Sequence, residues 1–240
     1  MKRILIKIFN VFGYKLVRTK YYKNLVNLNT LPGLDCHYLL KKIISEEQNI
    51  CCFDIGANVG QTEKKLRDNY PNATIFCFEP IQNTYRQLVD NVSMNHNTTT
   101  YNYAMGSIIE EKEIFHRKNS EWNSLLPKLN EEAKNDGATS EIIKINTIDN
   151  FVWEKGIERI HFFKSDTEGF ELEVLKGAEN CLINHTIDRL YIEVGFSRED
   201  KQHNYWIDVI EYLEKYDYGF SGLFEITYNK NLRMQYANAL

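Results

Sequence analysis

The stretch Cys51-Cys52-Phe53-Asp54-Ile55-Gly56-Ala57-Asn58-Val59-Gly60 constrains this chain more than any other. An apolar run ends at an acid, a glycine-containing turn follows, and residues 61–70 have helical character. A strand, a tight turn and a helix start, in that order, form the unit with which an open α/β sheet holds a nucleotide-like ligand. Asp54 narrows the choice of ligand. An acid this close to the turn opposes a pyrophosphate and favours a cation.

The rest of the chain repeats that unit. Further strands are predicted at 73–78, 98–104, 160–165 and 189–194, and helices at 34–47, 62–70, 83–91, 171–184 and 206–215. Pro80 has no N–H to give a ladder, so the second strand stops before it. Strands at 220–228 and 232–239 flank Asn229-Lys230-Asn231 and close the chain as a hairpin. The fold class expected is α/β: a doubly wound Rossmann-like sheet, mostly parallel, with an antiparallel C-terminal strand. Between about 107 and 150 the repeat breaks. A strand or hairpin is predicted at 110–120, an irregular polar stretch at 121–137 and a strand at 142–148. Insertions of this length serve as lids or substrate-binding elements.

A chain of 240 residues fits one domain with an extension. The extension is 1–33 and the main domain 34–240. Residues 1–24 carry seven basic side chains and no acid, and Ile4, Leu5, Ile8, Val11 and Phe12 recur at helical spacing. This basic amphipathic helix is read as packed on the domain, with docking to an assembly or to the inner surface of a membrane as the alternative. Lys7 interrupts the apolar run, which argues against a signal peptide, and no stretch reaches the ~20 apolar residues that span a bilayer. The net charge of −4 makes no case for nucleic acid as a partner. Five cysteines without CxxC spacing read as free thiols of a reducing compartment, the cytoplasm, and give no zinc pattern.

The predicted strand ends carry Asp54, Glu79, Asp166, Glu168 and Glu193. All five are acidic and all gather at one rim. Like charges there repel, so a cationic or hydroxyl-rich ligand explains them better than stability does. Glu79 lies about twenty residues past Gly60, where an acid accepts both hydroxyls of a ribose. Dinucleotide enzymes share that acid but add a second glycine in the turn, where this chain has Ala57 and Asn58. Asp54 and Glu79 together therefore favour S-adenosylmethionine, a ribose bearing a cationic methionine.

The chain resembles the FkbM-type family of S-adenosylmethionine-dependent methyltransferases. The resemblance runs from about residue 52 to the end. It is carried by the stretch 53–60, Phe78-Glu79-Pro80, Ala104 with Gly106, Asn123-Ser124-Leu125, Asn146-Thr147-Ile148-Asp149, Lys164-Ser165-Asp166-Thr167-Glu168-Gly169-Phe170-Glu171, Val174-Leu175-Lys176-Gly177-Ala178 and Ala237-Asn238-Ala239-Leu240. It implies a class I methyltransferase sheet and O-methylation of a sugar, a polysaccharide of the kind made in cell-surface biosynthesis, or another polyhydroxylated acceptor.

On this reading the cofactor contacts are Asp54, Gly56, Asn58, Gly60, Glu79 and Ala104, and the acceptor contacts are Ser124 and Glu168. Asp166 and Glu193 are candidates to take the hydroxyl proton. His116, in the insertion, and His203, after the fifth strand, both read more readily as surface histidines, and His116 is retained as a third catalytic candidate. A divalent ion on Asp166, Glu168 and Glu193 would suit two sugar hydroxyls, but strand-end acids also cap helices, and the expected site holds no metal. Two other classes compete. A nicotinamide-dependent nucleotide-sugar enzyme needs a glycine turn that is missing here. A non-catalytic domain binding a glycan or an assembly would bind no S-adenosylmethionine.

Overall fold

Alternation within the strands sets the architecture. In the computed structural model, which describes Cys36, Leu40 and residues 49–116, 125–135 and 137–240, β1 (Cys51–Ile55) sends Phe53 and Ile55 to one face and Cys52 and Asp54 to the other. The N-terminal extension, Ser124 and all of the predicted 34–47 helix but Cys36 and Leu40 lie outside the described residues. Helix α1 (Gln61–Asn69), β2 (Thr74–Phe78), α2 (Gln82–Val92) and β3 (Thr98–Tyr101) follow. After an excursion the main sheet resumes with β7 (Phe162–Ser165) and β8 (Leu190–Gly195), and β9 (Leu223–Tyr228) and β10 (Met234–Ala239) complete it. The strand order is β3-β2-β1-β7-β8-β10-β9, parallel except that β10 runs against both β8 and β9. This is the doubly wound sheet expected from the sequence.

Helices cover both faces. Leu66 of α1 and Leu88 and Val92 of α2 pack with Cys52, Ile75, Cys77 and Phe162. The opposite face receives α4 (Ile148–Lys155), α5 (Glu171–Lys176), α6 (Glu179–Ile183) and α7 (Trp206–Glu214) against Phe53, Phe78, Phe163 and Val194. Phe151 of α4 is the hub there. Its ring lies 5.0 Å from both Phe78 and Tyr101, nearly edge-on, and 5.6 Å and 5.5 Å from Phe53 and Phe76. Edge-to-face contacts of this kind add to the burial of the ring itself.

The break in the repeat is a second, three-stranded sheet, β4-β6-β5, made of β4 (Ala104–Met105), β5 (Glu110–Phe115) and β6 (Ser140–Asn146). The third predicted strand is therefore split: it leaves the main sheet at Tyr101, and Ala104 pairs with Ile145 instead. The stretch predicted as irregular contains α3 (Pro127–Asn135). Proline suits a helix start, and Leu129 and Ala133, four residues apart, bury one face. Helix α4 was not foreseen either. Its signals are short: Thr147 accepts the Asn150 amide as N-cap, and Gly156 ends it in the left-handed region. The single helix predicted at 171–184 is two, broken at Gly177. A Cβ there would stand 1.9 Å from the Gly106 carbonyl oxygen. Asp149 then takes the amides of Asn180 and Cys181, both at 2.9 Å, and restarts the helix.

A buried ion pair joins β1 and β7. Asp54 and Lys164 are register partners on the adjacent parallel strands β1 and β7, so both side chains leave the sheet on one face. The Lys164 ammonium sits 3.1 Å from Asp54 Oδ1, with Asp54 fully buried. It also donates to the Gly56 carbonyl at 2.9 Å and stands 3.5 Å from Asp166 Oδ2. Burial alone would release its proton, but Asp54 and Asp166 outweigh that and hold the ammonium well above its ordinary value.

Two outcomes follow in chemical denaturation. Phe151→Ala should cost about 3–5 kcal/mol, while Trp153→Ala, removing a side chain that is 80% exposed, should change little. Lys164→Met should cost about 3–5 kcal/mol because it leaves a buried carboxylate without its cation. Adding Asp54→Asn to Lys164→Met should restore part of that loss; simple additivity would show that the pair is not coupled.

Candidate active site

The loops at the carboxyl ends of β1, β2, β7 and β8 enclose a cleft of about 680 Å³, within the range of small-molecule sites. The first wall is the turn after β1. Gly56 has φ +73°, and a Cβ there would meet the Asp166 backbone oxygen at 1.8 Å, so glycine is required for both reasons. The amides of Gly56 and Ala57 both donate to the Phe78 carbonyl, at 3.1 and 3.0 Å, which clamps the turn to the end of β2. Gly60, at φ +96°, stands where α1 starts.

Glu79 follows β2 and is 7% exposed. Its Oε2 accepts the Asn58 amide at 3.1 Å and its Oε1 the Ile81 amide at 2.9 Å. A carboxylate oxygen has two lone-pair sites, so each oxygen retains one that is not spent on these amides. Burial pushes the carboxyl up to about 7, against the pull of the two amides and of Lys164. Phe78, Ile81, Ala104 and Met105 add apolar lining beside it.

The far wall is the turn after β7. Glu168 and Gly169 are both left-handed, at φ +56° and +93°, a strained state for glutamate. Glu171 holds this turn. Its buried Oε1 accepts from the Thr167 amide at 2.7 Å, the Thr167 hydroxyl at 2.8 Å and the Gly169 amide at 3.3 Å. The sequence assigned helix-capping work to Asp166 or Glu168, whereas Glu171 takes the turn's amides and Asp166 opens to the cleft with 37% of its side chain exposed. On β8, Glu193 is buried beside Asp166, Glu171 and Glu168, and burial together with these acids pushes its carboxyl well up.

Most of the residues picked out in the sequence meet here. Gly56, Asn58, Glu79, Ala104, Asp166, Glu168 and Glu193 line the one cleft. Asp54 lies beneath it, closed off against Lys164. Gly60 positions α1 and does not line the cleft. His116 stands apart, its Nε2 3.1 Å from Glu141 Oε1, and Ser124 lies outside the described residues. Two residues not chosen from the sequence belong to the site. Lys164 lines the cleft as its buried cation. His203, read as a surface histidine, is on the cleft wall with a side chain only 8% exposed, its ring stacked on Tyr236 at 4.8 Å and Nδ1 2.9 Å from Asp200 Oδ2. Its one local sequence signal is Asp200 three residues before it.

Comparison with known proteins agrees with this geometry. The Methyltransferase FkbM domain matches residues 54–220. The chain is 26% identical over 184 residues to Methyltransferase sdnD of Sordaria araneosa, covering 62% of this chain and 71% of that one. It is 23% identical over 211 residues to Methyltransferase 1 of Beauveria bassiana, covering 73% and 80%. Among solved structures, Aeropyrum pernix fibrillarin with natively bound S-adenosyl-L-methionine is similar at a TM-score of 0.44 and 10% identity, covering 85% of this chain and 73% of that one. With most of its described domain inside the match, this chain belongs to the FkbM family of methyltransferases, whose methyl donor is S-adenosylmethionine.

Proposed function

We propose that the chain transfers a methyl group to a hydroxyl of a sugar, polysaccharide or other polyhydroxylated small-molecule acceptor in the cytoplasm. The observation that carries this reading is the acidic far wall of the cleft. Asp166, Glu168 and Glu193 line it together with His203. Hydrogen-bond acceptors at this density suit a ligand rich in hydroxyl donors and repel a phosphate backbone. None of the five cysteines is in a disulfide, in keeping with a reducing compartment. Among the described residues no helix is long and apolar enough to cross a membrane.

The residues divide between two ligands. Glu79 takes the two ribose hydroxyls of the donor on its remaining lone pairs, and Gly56 and Asn58 let the turn approach it closely. Phe78, Ile81, Ala104 and Met105 cover the flat base. Asp54, fully buried against Lys164, serves the donor site on this reading by keeping that lysine and the turn after β1 in place. When bound, S-adenosylmethionine supplies an electrophilic methyl group on sulfur. Asp166 faces the acceptor and takes the hydroxyl proton as the oxygen–carbon bond forms and the carbon–sulfur bond breaks. Alignment of the two reactants in one cleft provides much of the rate, and the base a further share.

Thermal denaturation with ligands tests the donor site. S-adenosylhomocysteine should raise the melting temperature and NAD should not. Affinity should fall as pH drops through about 7, because protonation of Glu79 removes an acceptor site from its carboxyl. Glu79→Gln should bind more weakly and lose that pH dependence; an unchanged affinity sinks the ribose assignment. Labelled methyl transfer to a panel of free and polymeric saccharides tests the acceptor. Asp166→Asn should lower kcat by about 10²–10⁴ with S-adenosylhomocysteine binding retained. Full activity in that variant would move the base elsewhere.

A further inference from the structure

Glu168, Glu193 and His203 each offer one ligand atom, and these atoms lie within 4.8 Å of one another. An ion with bonds of about 2.1–2.4 Å holds opposite ligands about 4–5 Å apart, so one ion reaches all three. Three further observations converge on the same point.

The first is the orientation of His203. Asp200 accepts the Gln202 amide on Oδ1 at 2.8 Å and the imidazole Nδ1 on Oδ2 at 2.9 Å. The bond to Asp200 occupies Nδ1 and leaves Nε2 as the nitrogen that faces the cleft side of Glu193. Stacking on Tyr236, with an interplanar angle of 14°, fixes the ring plane. A histidine held through one nitrogen by a carboxylate, with the other nitrogen aimed into a cleft, is the arrangement of a metal ligand.

The second is Glu193. It is 8% exposed, and its Oε2 is buried without a hydrogen-bond partner. A polar atom left in that state is costly. That oxygen faces His203 Nε2 at 3.6 Å, too far for a hydrogen bond. These two atoms stand close enough together to share one ion.

The third is the left-handed Glu168 at φ +56°, on a turn tied down by Glu171. That turn puts Glu168 on the lining of the cleft.

We propose that Glu168, Glu193 and His203 form a binding site for one divalent cation, and that its open positions take two neighbouring hydroxyls of the acceptor. Two carboxylates, an imidazole and two hydroxyls call for an ion of five or six ligands that accepts both oxygen and nitrogen. Mn²⁺ meets that requirement better than Mg²⁺, which prefers oxygen alone. The ion polarises the bound hydroxyl and eases loss of its proton to Asp166. Its part in catalysis rests on the hydroxyl-acceptor reading; its binding does not.

The test titrates Mn²⁺ into the full-length, chelator-stripped protein without donor or acceptor, and follows the free ion by electron paramagnetic resonance. One ion per chain should bind. His203→Ala and Glu168→Gln should each weaken it by at least about tenfold, and Asp200→Asn by about 10–100-fold, with circular dichroism and the S-adenosylhomocysteine melting shift retained. If His203→Ala fails to fold, Glu168→Gln decides, since it lies on a partly exposed turn. Wild-type protein that leaves Mn²⁺ free, or a Glu168→Gln variant that binds like wild type, overturns the proposal. Mn²⁺ binding without any S-adenosylhomocysteine shift would leave the ion site standing and remove the methyl-transfer reading; the reverse pattern would do the opposite.

Discussion

The buried pair of Lys164 and Asp54 joins the two halves of the molecule. It lies where β1 meets β7, the seam between the first βαβ run and everything after the insertion. Two charges taken from water are expensive unless both are well partnered. Lys164 meets that condition through the Gly56 carbonyl and Asp166 as well as Asp54. The turn after β1 and the turn after β7 are thereby tied to one ammonium. Gly56 lets them touch, because any side chain there would strike the Asp166 carbonyl. The two walls of the cleft are fixed relative to one another by this contact.

Above that seam the site is a concentration of negative charge. Asp166, Glu168, Glu171 and Glu193 stand together, and only part of their mutual repulsion is relieved within the protein. Lys164 relieves Asp166 from below, and the amides around Glu171 relieve that residue. Glu193 has no such relief at its Oε2 and is driven towards its protonated form. A fold carries a destabilising cluster of this kind when a ligand completes it. Glu79, on the opposite wall, is arranged differently: two amides orient it and leave it able to accept more.

Much of the scaffold was legible in the sequence. The apolar strands, the proline after β2 and the closing hairpin all report local preferences, and the main sheet has the expected order and sense. The failures were also local in origin. Residues 127–135 are polar enough to read as a loop, and only the burial of Leu129 and Ala133 makes the stretch a helix. The helix at 171–184 has continuous amphipathic spacing, but it breaks at Gly177, where the backbone of Gly106, far away in sequence, leaves no room for a side chain.

The sequence by itself determined the alternation of strands and helices, the glycine turn and the row of acids at strand ends, because periodicity, backbone freedom and charge are written residue by residue. It also carried the family, through the motifs spanning 54–220. Only the tertiary structure decided what each acid does. Asp54 turned inward because its register partner is Lys164, and Glu171 became the anchor of a turn. His203, the residue the sequence marked as ordinary, became a fixed part of the cleft because Asp200, Tyr236 and Glu193 converge on it. Such roles come from neighbours brought together across distant strands, and no spacing along the chain encodes them.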